Sequence, residues 1–262
     1  MPVFTPLVAL ISSLVGYQIP VVCQPLPQGT TIQAAISVSA PGYAPFSGQH
    51  SWGPTMADAG GVTGPLGYLP PGATVTITVD GVTATLPPVP TDTPDTDENP
   101  PPAGYAGWVV IPAFIAIDQG YCDAWTGNDL ALRGRALLAA IHEAMHAKYA
   151  EGNEALTECR AMQLFPTVLQ GLFPAITDPG TAPAGPGPAP VKQRHSSSAA
   201  IARWKRATTH WRDAHAKWQR AYSQWLALDD TWTTQVGEQA AMTAAAQAYD
   251  AFLPPEYHGA TC

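Results

Sequence analysis

Alternating apolar and polar positions dominate the first third of the chain and predict β-structure there. The apolar runs are IPVVC at 19–23, TTIQAAISVSA at 30–40, and TVTITV with VTATL at 74–86. The last two runs flank Asp80 and Gly81, a pair that tolerates positive φ and suits a type I′ turn. The pattern predicts a β-rich region over residues 1–86 that contains a hairpin at 74–86.

A helical period replaces this alternation after Trp125. A helix is expected from Asn128 or Asp129 to Glu151, with Thr126 or Asn128 as its cap and Gly152 after its end. Asn153 can cap a second helix that runs toward Leu172, in which Pro166 predicts a kink or an early stop. Two helices joined so closely predict an αα-hairpin.

A strand-like run, WVVIPAFIAI, precedes these helices at 108–117. Pro112 interrupts it and has no N–H to donate, which suits an edge strand or a bulge better than a central strand. We therefore expect an edge strand beside the helical hairpin.

Five tryptophans recur at intervals of seven residues in the last third of the chain. They are Trp204, Trp211, Trp218, Trp225 and Trp232. Such a heptad predicts a long helix whose Trp/Ala seam packs against another helix, in cis or in a second chain. The Ala-rich stretch 236–253 is the natural partner, and the two together predict a helical hairpin that offers a surface for self-association.

Two Pro-rich segments divide the chain and are expected to be linkers. The predicted organisation is a β-rich region at 1–86, a linker at 87–104, a metal-binding core at 105–173, a linker at 174–198, and a helical hairpin with a C-terminal tail at 199–262. The expected fold class is α+β.

Charge is distributed very unevenly in this chain of net charge −8. No Lys or Arg precedes Arg133, which excludes nucleic-acid binding by the first half. Eight cations lie between Lys192 and Arg220, where any anionic partner would be met. A solvated helix face is the favoured interpretation, so no nucleic-acid partner is expected.

The cysteines and the first residues bear on localisation. Cys23, Cys122, Cys159 and Cys262 are widely spaced and even in number, which suits two disulfides of open connectivity. Disulfides would favour an extracytoplasmic or virion-associated protein, although the apolar stretch Leu7–Val15 lacks the basic region of a signal peptide. That stretch is too short to span a membrane and is expected to form a buried strand or short helix.

The candidate chemistry lies in HEAMH at 142–146, inside the first predicted helix. His142 and His146 project from one helix face and can bind the same Zn²⁺, while Glu143 is offset by about 100° and can act as a general base toward water. A third protein ligand is expected on the second helix, where Glu154 and Glu158 share a face. In an antiparallel hairpin that turns near Gly152, Glu158 would lie opposite His146, which favours Glu158.

HEAMH followed by NEALTE resembles the gluzincin branch of the zincin metallopeptidases, in which a Glu on a second helix completes the zinc site. NEALTE is similar to the thermolysin-type NExxSD stretch, which implies Glu154 as the ligand and Glu158 as the acceptor for a ligand imidazole. ECRA is similar to the ExxA pattern of shorter gluzincins, which implies Glu158 as the ligand and is the alternative we prefer. The spacing after His146 is shorter here than in thermolysin-like enzymes.

A wider similarity, over about half of the chain, is to uncharacterised actinobacterial and actinophage proteins with a metallopeptidase-like centre. It is carried by IPVVC, HEAMH, EALTECRAMQ and LPPEY.

We therefore expect a zinc-dependent hydrolase, most simply a metallopeptidase acting on a peptide or protein. The candidates for a further transition-state donor are Tyr257, His258, Tyr149 and Arg160. The alternative is a non-catalytic or structural zinc protein that acts as an interaction module, on a virion or cell surface, through its β-region and Trp helix.

Overall fold

The computed structural model describes residues 5–27, 30–52, 61–70, 72–89, 109–149, 153–192 and 197–258, and the fold is α+β as predicted. The helices are α1 (Thr5–Val15), α2 (Gln119–Ala124), α3 (Leu130–Tyr149), α4 (Glu154–Leu172) and α5 (Ser198–Asp250). The strands are β1 (Val21–Gln24), β2 (Ile32–Ser39), β3 (Phe46–Trp52), β4 (Gly61–Leu69), β5 (Thr74–Val79), β6 (Val82–Thr85) and β7 (Val109–Asp118). Residues 1–172 with 240–262 form one compact unit, and residues 173–239 form a second. Neither α3 nor any other helix in the described ranges is both long and apolar enough to cross a membrane.

The larger sheet is antiparallel, with strand order β3-β2-β5-β6. The predicted hairpin joins β5 to β6, and its turn residues Asp80 and Gly81 have φ of 46° and 79°. Positive φ at both positions is the requirement of a type I′ turn. One face of β5 is buried, as its alternating sequence predicts.

The smaller sheet has the order β1-β7-β4, so of the two alternatives for 108–117 the edge strand is wrong, whereas the bulge agrees with the irregular pairing of β7 with β4. β7 is the central strand, parallel to β1 and antiparallel to β4. Its proline is tolerated because the pairing with β4 is irregular there: the register shifts on both sides of the pair formed by Pro65 and Pro112. The outer strand beside the helices is therefore β4, whose sequence gave no clear strand signal.

Disulfides and a short helix secure this first unit. Cys23 of β1 is bonded to Cys122 of α2. Cys159 is also disulfide-bonded, and the remaining cysteine, Cys262, lies outside the described residues. The apolar stretch after Thr5 forms the short helix α1, which packs on α3.

The predicted C-terminal helical hairpin is wrong, because α5 continues without a turn for 53 residues. No proline or turn sequence breaks the chain near residue 236, and Ala-rich sequence extends a helix readily. The prediction assumed that a second helix packs on the tryptophan seam. In the second unit, a segment without helical structure packs on the seam instead.

The cover of the seam is the Pro-rich segment that the sequence predicts as a linker. Indole Nε1–H groups donate to its backbone carbonyls: Trp204 to Pro190, Trp211 to Gly187, Trp218 to Pro183 and Trp225 to Gly180, at 2.9 to 3.1 Å. The order shows that the segment runs antiparallel to α5. Seven helical residues rise about 10.5 Å. Three to four residues of an extended proline-rich chain rise about the same distance, at about 3.1 Å each.

Gly134 of α3 provides a test of how α5 packs within the first unit. A Cβ at this position would fall on the backbone carbonyl of Met242, which cannot move like a side-chain tip. We expect Gly134→Ala to destabilise the protein by about 1–3 kcal/mol through overpacking. Gly171→Ala is the matched control, because a Cβ there meets nothing and should stabilise α4 by about 0.5–1 kcal/mol. Urea unfolding of the three proteins measures both changes, and equal stabilities would contradict the close contact.

Candidate metal centre

The candidate site lies where α3 packs against α4. Asp129 caps α3 by accepting a hydrogen bond from the backbone N–H of Leu132, in place of the predicted Thr126 or Asn128. Asn153 caps α4 as predicted, through the N–H of Leu156. The caps fix where the two helices start, and α4 runs through Pro166 to Leu172 without the predicted early stop.

Three ligand-type atoms converge between the helices: Nε2 of His142, Nε2 of His146 and Oε2 of Glu154. The two nitrogens are 2.9 Å apart, and the carboxylate oxygen lies 3.0 Å from His142 and 3.1 Å from His146. Among the described residues, this group is the one that could hold a metal ion. His142 is 1% exposed and the Glu154 side chain 37%, so the cluster has a buried side and an open side.

The donor set fits a borderline transition metal such as zinc. Two imidazole nitrogens and one carboxylate oxygen are typical zinc ligands, bound at about 2.0–2.2 Å. Lone pairs from three such atoms cannot face one another at 3 Å without a shared proton or a cation. A metal ion satisfies all three at once, and three protein ligands are the number found in catalytic zinc sites.

Glu158 lies on the other side of the same imidazole. The Nδ1–H of His142 donates to its Oε2 at 2.7 Å, and Glu158 is 2% exposed. When the imidazole is neutral, as a metal ligand must be, this bond fixes the tautomer in which Nε2 presents its lone pair to the cluster. The carboxylate that joins both histidines is therefore Glu154, whereas the sequence argument preferred Glu158.

The reason for this difference is the position of the first turn of α4. Equal spacing from Gly152 places Glu158 opposite His146, but α4 starts at Glu154 and that first residue already reaches both imidazoles. Glutamate side chains on a helix point back toward its N-terminus, which brings Glu154 over the end of the motif. Thr157 lies beside His146, with its hydroxyl 3.3 Å from Nδ1.

Glu143 is buried against β4, a contact that the sequence argument missed. The Thr63 hydroxyl is 2.7 Å from Oε2 of Glu143 and 3.0 Å from its backbone carbonyl, and it can donate to either. A Cβ at Gly61 would fall on Cγ of Glu143, so this position requires glycine. The only sequence signal was the Gly-rich stretch GGVTG at 60–64, whose glycines indicate close backbone approach.

Burial and mutual contacts shift the pKa values of the site. Burial alone would lower the pKa of His142, but hydrogen bonds to Glu154 and Glu158 outweigh it and raise this pKa to about 10. Burial opposes ionisation of Glu154, but its hydrogen bonds to both histidines lower its pKa to about 2. Burial raises the pKa of Glu143, against the attraction of the two nearby imidazoles.

The four candidate transition-state donors lie at different positions relative to the metal cluster. The Tyr257 ring is 7% exposed and lies 5.7 Å from the His142 ring, between centroids. His258 donates from Nε2 to the Leu253 carbonyl. The Arg160 guanidinium lies 4.2 Å over the Tyr149 ring, which is half exposed. Of these four, Tyr257 is the one in ring contact with a cluster residue.

A cavity of about 370 Å³ lies beside Glu158, between α4 and the C-terminal segment. Asp250 and Tyr257 contribute to its wall, and burial together with Glu158 raises the pKa of Asp250. The cavity adjoins the residue that orients His142.

Comparison with protein-family models, with curated proteins and with solved structures finds no match for this chain.

The two carboxylates can be separated by metal titration. We expect Glu154→Gln to abolish binding of one Zn²⁺, because it removes a ligand atom. Glu158→Gln should keep the stoichiometry and weaken the affinity about 10- to 100-fold, since it loosens an orienting contact. Elemental analysis and competition with a chromogenic chelator measure both quantities. Loss of zinc from the Glu158 variant alone would reverse the assignment.

Metal binding should release protons. With a pKa of about 10, His142 is protonated in the metal-free protein at neutral pH, and a metal ligand must be neutral. Affinity should therefore fall as pH falls, by about tenfold per pH unit for each proton released. Calorimetry in two buffers of different ionisation enthalpy counts these protons. An affinity that is independent of pH around neutrality would contradict the raised pKa.

Proposed function

We propose that this protein is a zinc-dependent hydrolase, most simply a metallopeptidase of gluzincin type. The observation that carries the proposal is the convergence of His142, His146 and Glu154 within 3.1 Å of one another, with a buried carboxylate at Glu143 on the same helix. Metal ligands alone would indicate binding. The adjacent carboxylate adds a group that can move a proton.

The contacts of each group indicate its role in the proposed reaction. Zinc, when bound, supplies Lewis acidity that polarises a carbonyl and lowers the pKa of water to about 7. Glu143 accepts the proton of the attacking water and passes it to the leaving amine, and its raised pKa suits both steps. The Thr63 hydroxyl holds Oε2 of Glu143 in place, and Glu158 holds the His142 ring.

The outer strand β4 supports a peptide as substrate. Within the described residues, β4 pairs only with β7, so its other edge carries main-chain groups available for an extended chain. Glu143 contacts this strand at Gly61 and Thr63. An extended peptide added to that edge would lie next to the proposed base.

The alternative function, a structural zinc centre in an interaction module, is less well supported. Structural zinc sites take four protein ligands, whereas the described cluster offers three. The tryptophan seam, which that alternative would use for a partner, is covered by the chain's own Pro-rich segment.

Glu143→Gln tests the catalytic proposal. The variant should fold, bind zinc as the wild type does, and lose about 10²- to 10⁴-fold in hydrolysis, because the amide cannot accept the proton. The assay is cleavage of a diverse peptide mixture by the zinc-loaded protein, followed by mass spectrometry. Glu238→Gln is a matched control, because it makes the same chemical change on α5, outside the metal cluster.

Two outcomes would contradict the proposal. Cleavage that persists in Glu143→Gln would assign the activity to another site or a contaminant. Zinc-loaded wild type that cleaves nothing in the mixture, although Glu158→Gln weakens zinc binding as expected, would favour the structural alternative.

A further inference from the structure

The first half of α5 carries a dense row of cations that the proposed hydrolytic site does not use. They are Arg203, Lys205, Arg206, Arg212, Lys217 and Arg220, all exposed. Asp213 is the single acidic residue between Arg203 and Arg220. Eighteen helical residues span about 27 Å, so one positive charge occurs about every 4.5 Å.

These cations lie on the side of α5 that faces away from the tryptophan seam. A helix turns about 100° per residue, so Arg206 and Arg220, each two residues after a tryptophan, lie about 20° from the direction opposite to the seam. Each of the other four is adjacent in sequence to a tryptophan and lies about 80° from that direction, at the borders of the same face: Arg203, Lys205, Arg212 and Lys217. We call these six residues the cationic face.

No salt bridge neutralises the cationic face within the part of the chain that the structure describes, where the ion pairs are confined to the metal cluster. Lys192, a seventh cation nearby, lies 5.9 Å from the Trp204 ring, so it belongs to the seam. Six unpaired like charges on a rigid rod repel one another, and an anionic partner would relieve this repulsion.

The tryptophan seam, on the opposite face of α5, determines whether the anionic partner can be a membrane surface. A helix that binds a membrane surface needs an apolar face free to enter the lipid. In α5, Trp211, Trp218 and Trp225 donate to carbonyls of the Pro-rich segment and stack with His215 and Tyr222 in a continuous row of rings. The seam is therefore occupied, and the cationic face offers charge without an apolar anchor.

We propose that the cationic face of α5 binds a linear phosphodiester polymer through its phosphates. Four of its six cations are arginines, whose planar guanidinium groups match phosphate oxygens with two parallel hydrogen bonds. The cations follow one helix over about 27 Å, which suits a linear polyanion, and contacts to phosphates carry no sequence information. Binding is therefore independent of sequence and sensitive to salt. This differs from the expectation of no nucleic-acid partner, which treated the cations as a solvated face.

The test is fluorescence anisotropy of the full chain with two labelled probes, a duplex DNA of about 20 base pairs and a poly(glycerol phosphate) chain of similar charge. We expect micromolar binding of the DNA at low salt. The logarithm of the binding constant should fall with the logarithm of salt with a slope of about −4, for about four neutralised phosphates. Binding of both probes identifies the phosphodiester backbone alone as the ligand, and binding of DNA only narrows the ligand to nucleic acid.

Two variants of equal net charge make the test specific. Arg206→Gln/Lys217→Gln/Arg220→Gln removes three of the six cations of the cationic face, including both central arginines, and glutamine preserves the helix. Arg133→Gln/Arg135→Gln/Lys148→Gln removes three cations from α3. The first should lower the affinity at least tenfold and flatten the salt slope, while the second should bind within about twofold of wild type.

Three results would overturn the proposal: no binding of either probe at low salt, equal losses in both triple variants, or binding to vesicles rich in anionic lipid that neither polymer displaces. The last would indicate a membrane surface instead. Zinc content and helicity of both variants should equal those of wild type, which keeps the outcome independent of the hydrolase proposal.

Discussion

Both nitrogens of His142 need a partner, because the residue is 1% exposed, and this requirement constrains how α3 and α4 pack. Nδ1 is satisfied by Glu158 and Nε2 faces Glu154, one turn earlier on α4. Two carboxylates four residues apart thus hold one imidazole from its two sides. A shift of α4 by one residue would break both contacts and leave charged groups buried without partners, which is costly. The alignment that satisfies His142 also brings His146 to Glu154.

The same arrangement explains how a cluster of ionisable side chains can be buried in an apolar core. Isolated carboxylates and imidazoles would be neutralised by burial, but here each depends on a group of opposite character. The Thr63 hydroxyl of β4 donates a hydrogen bond to the Glu143 carboxylate of α3. This bond offsets part of the free energy that burying the carboxylate costs. The site belongs equally to the sheet and to the helices.

Local signals in the sequence predicted much of this structure, and contacts distant in sequence account for the rest. The hairpin at Asp80 and the helix that carries HEAMH follow from turn chemistry and periodicity. The role of β4 could not be predicted, because its strand signal is weak and Thr63 reaches Glu143 across 80 positions of sequence. The choice between Glu154 and Glu158 depended on where α4 starts, which spacing alone left open. The tryptophan heptad predicted the helix. It could not predict which segment packs on the seam, because that depends on whether the indole N–H groups donate to a side chain or to a backbone carbonyl.

The pairing of α5 with the Pro-rich segment restricts how the second unit can change in length. The carbonyl acceptors Gly180, Pro183, Gly187 and Pro190 are three, four and three residues apart, while their tryptophans are seven apart. The helix and the Pro-rich segment advance by equal lengths in whole numbers of residues only after two heptads of α5 and seven residues of the segment, about 21 Å. Insertions or deletions that keep every indole bonded must therefore change both partners together, by one heptad of α5 for every three or four residues of the Pro-rich segment. Homologous chains that keep these bonds would therefore differ in this unit by whole heptads and not by single residues.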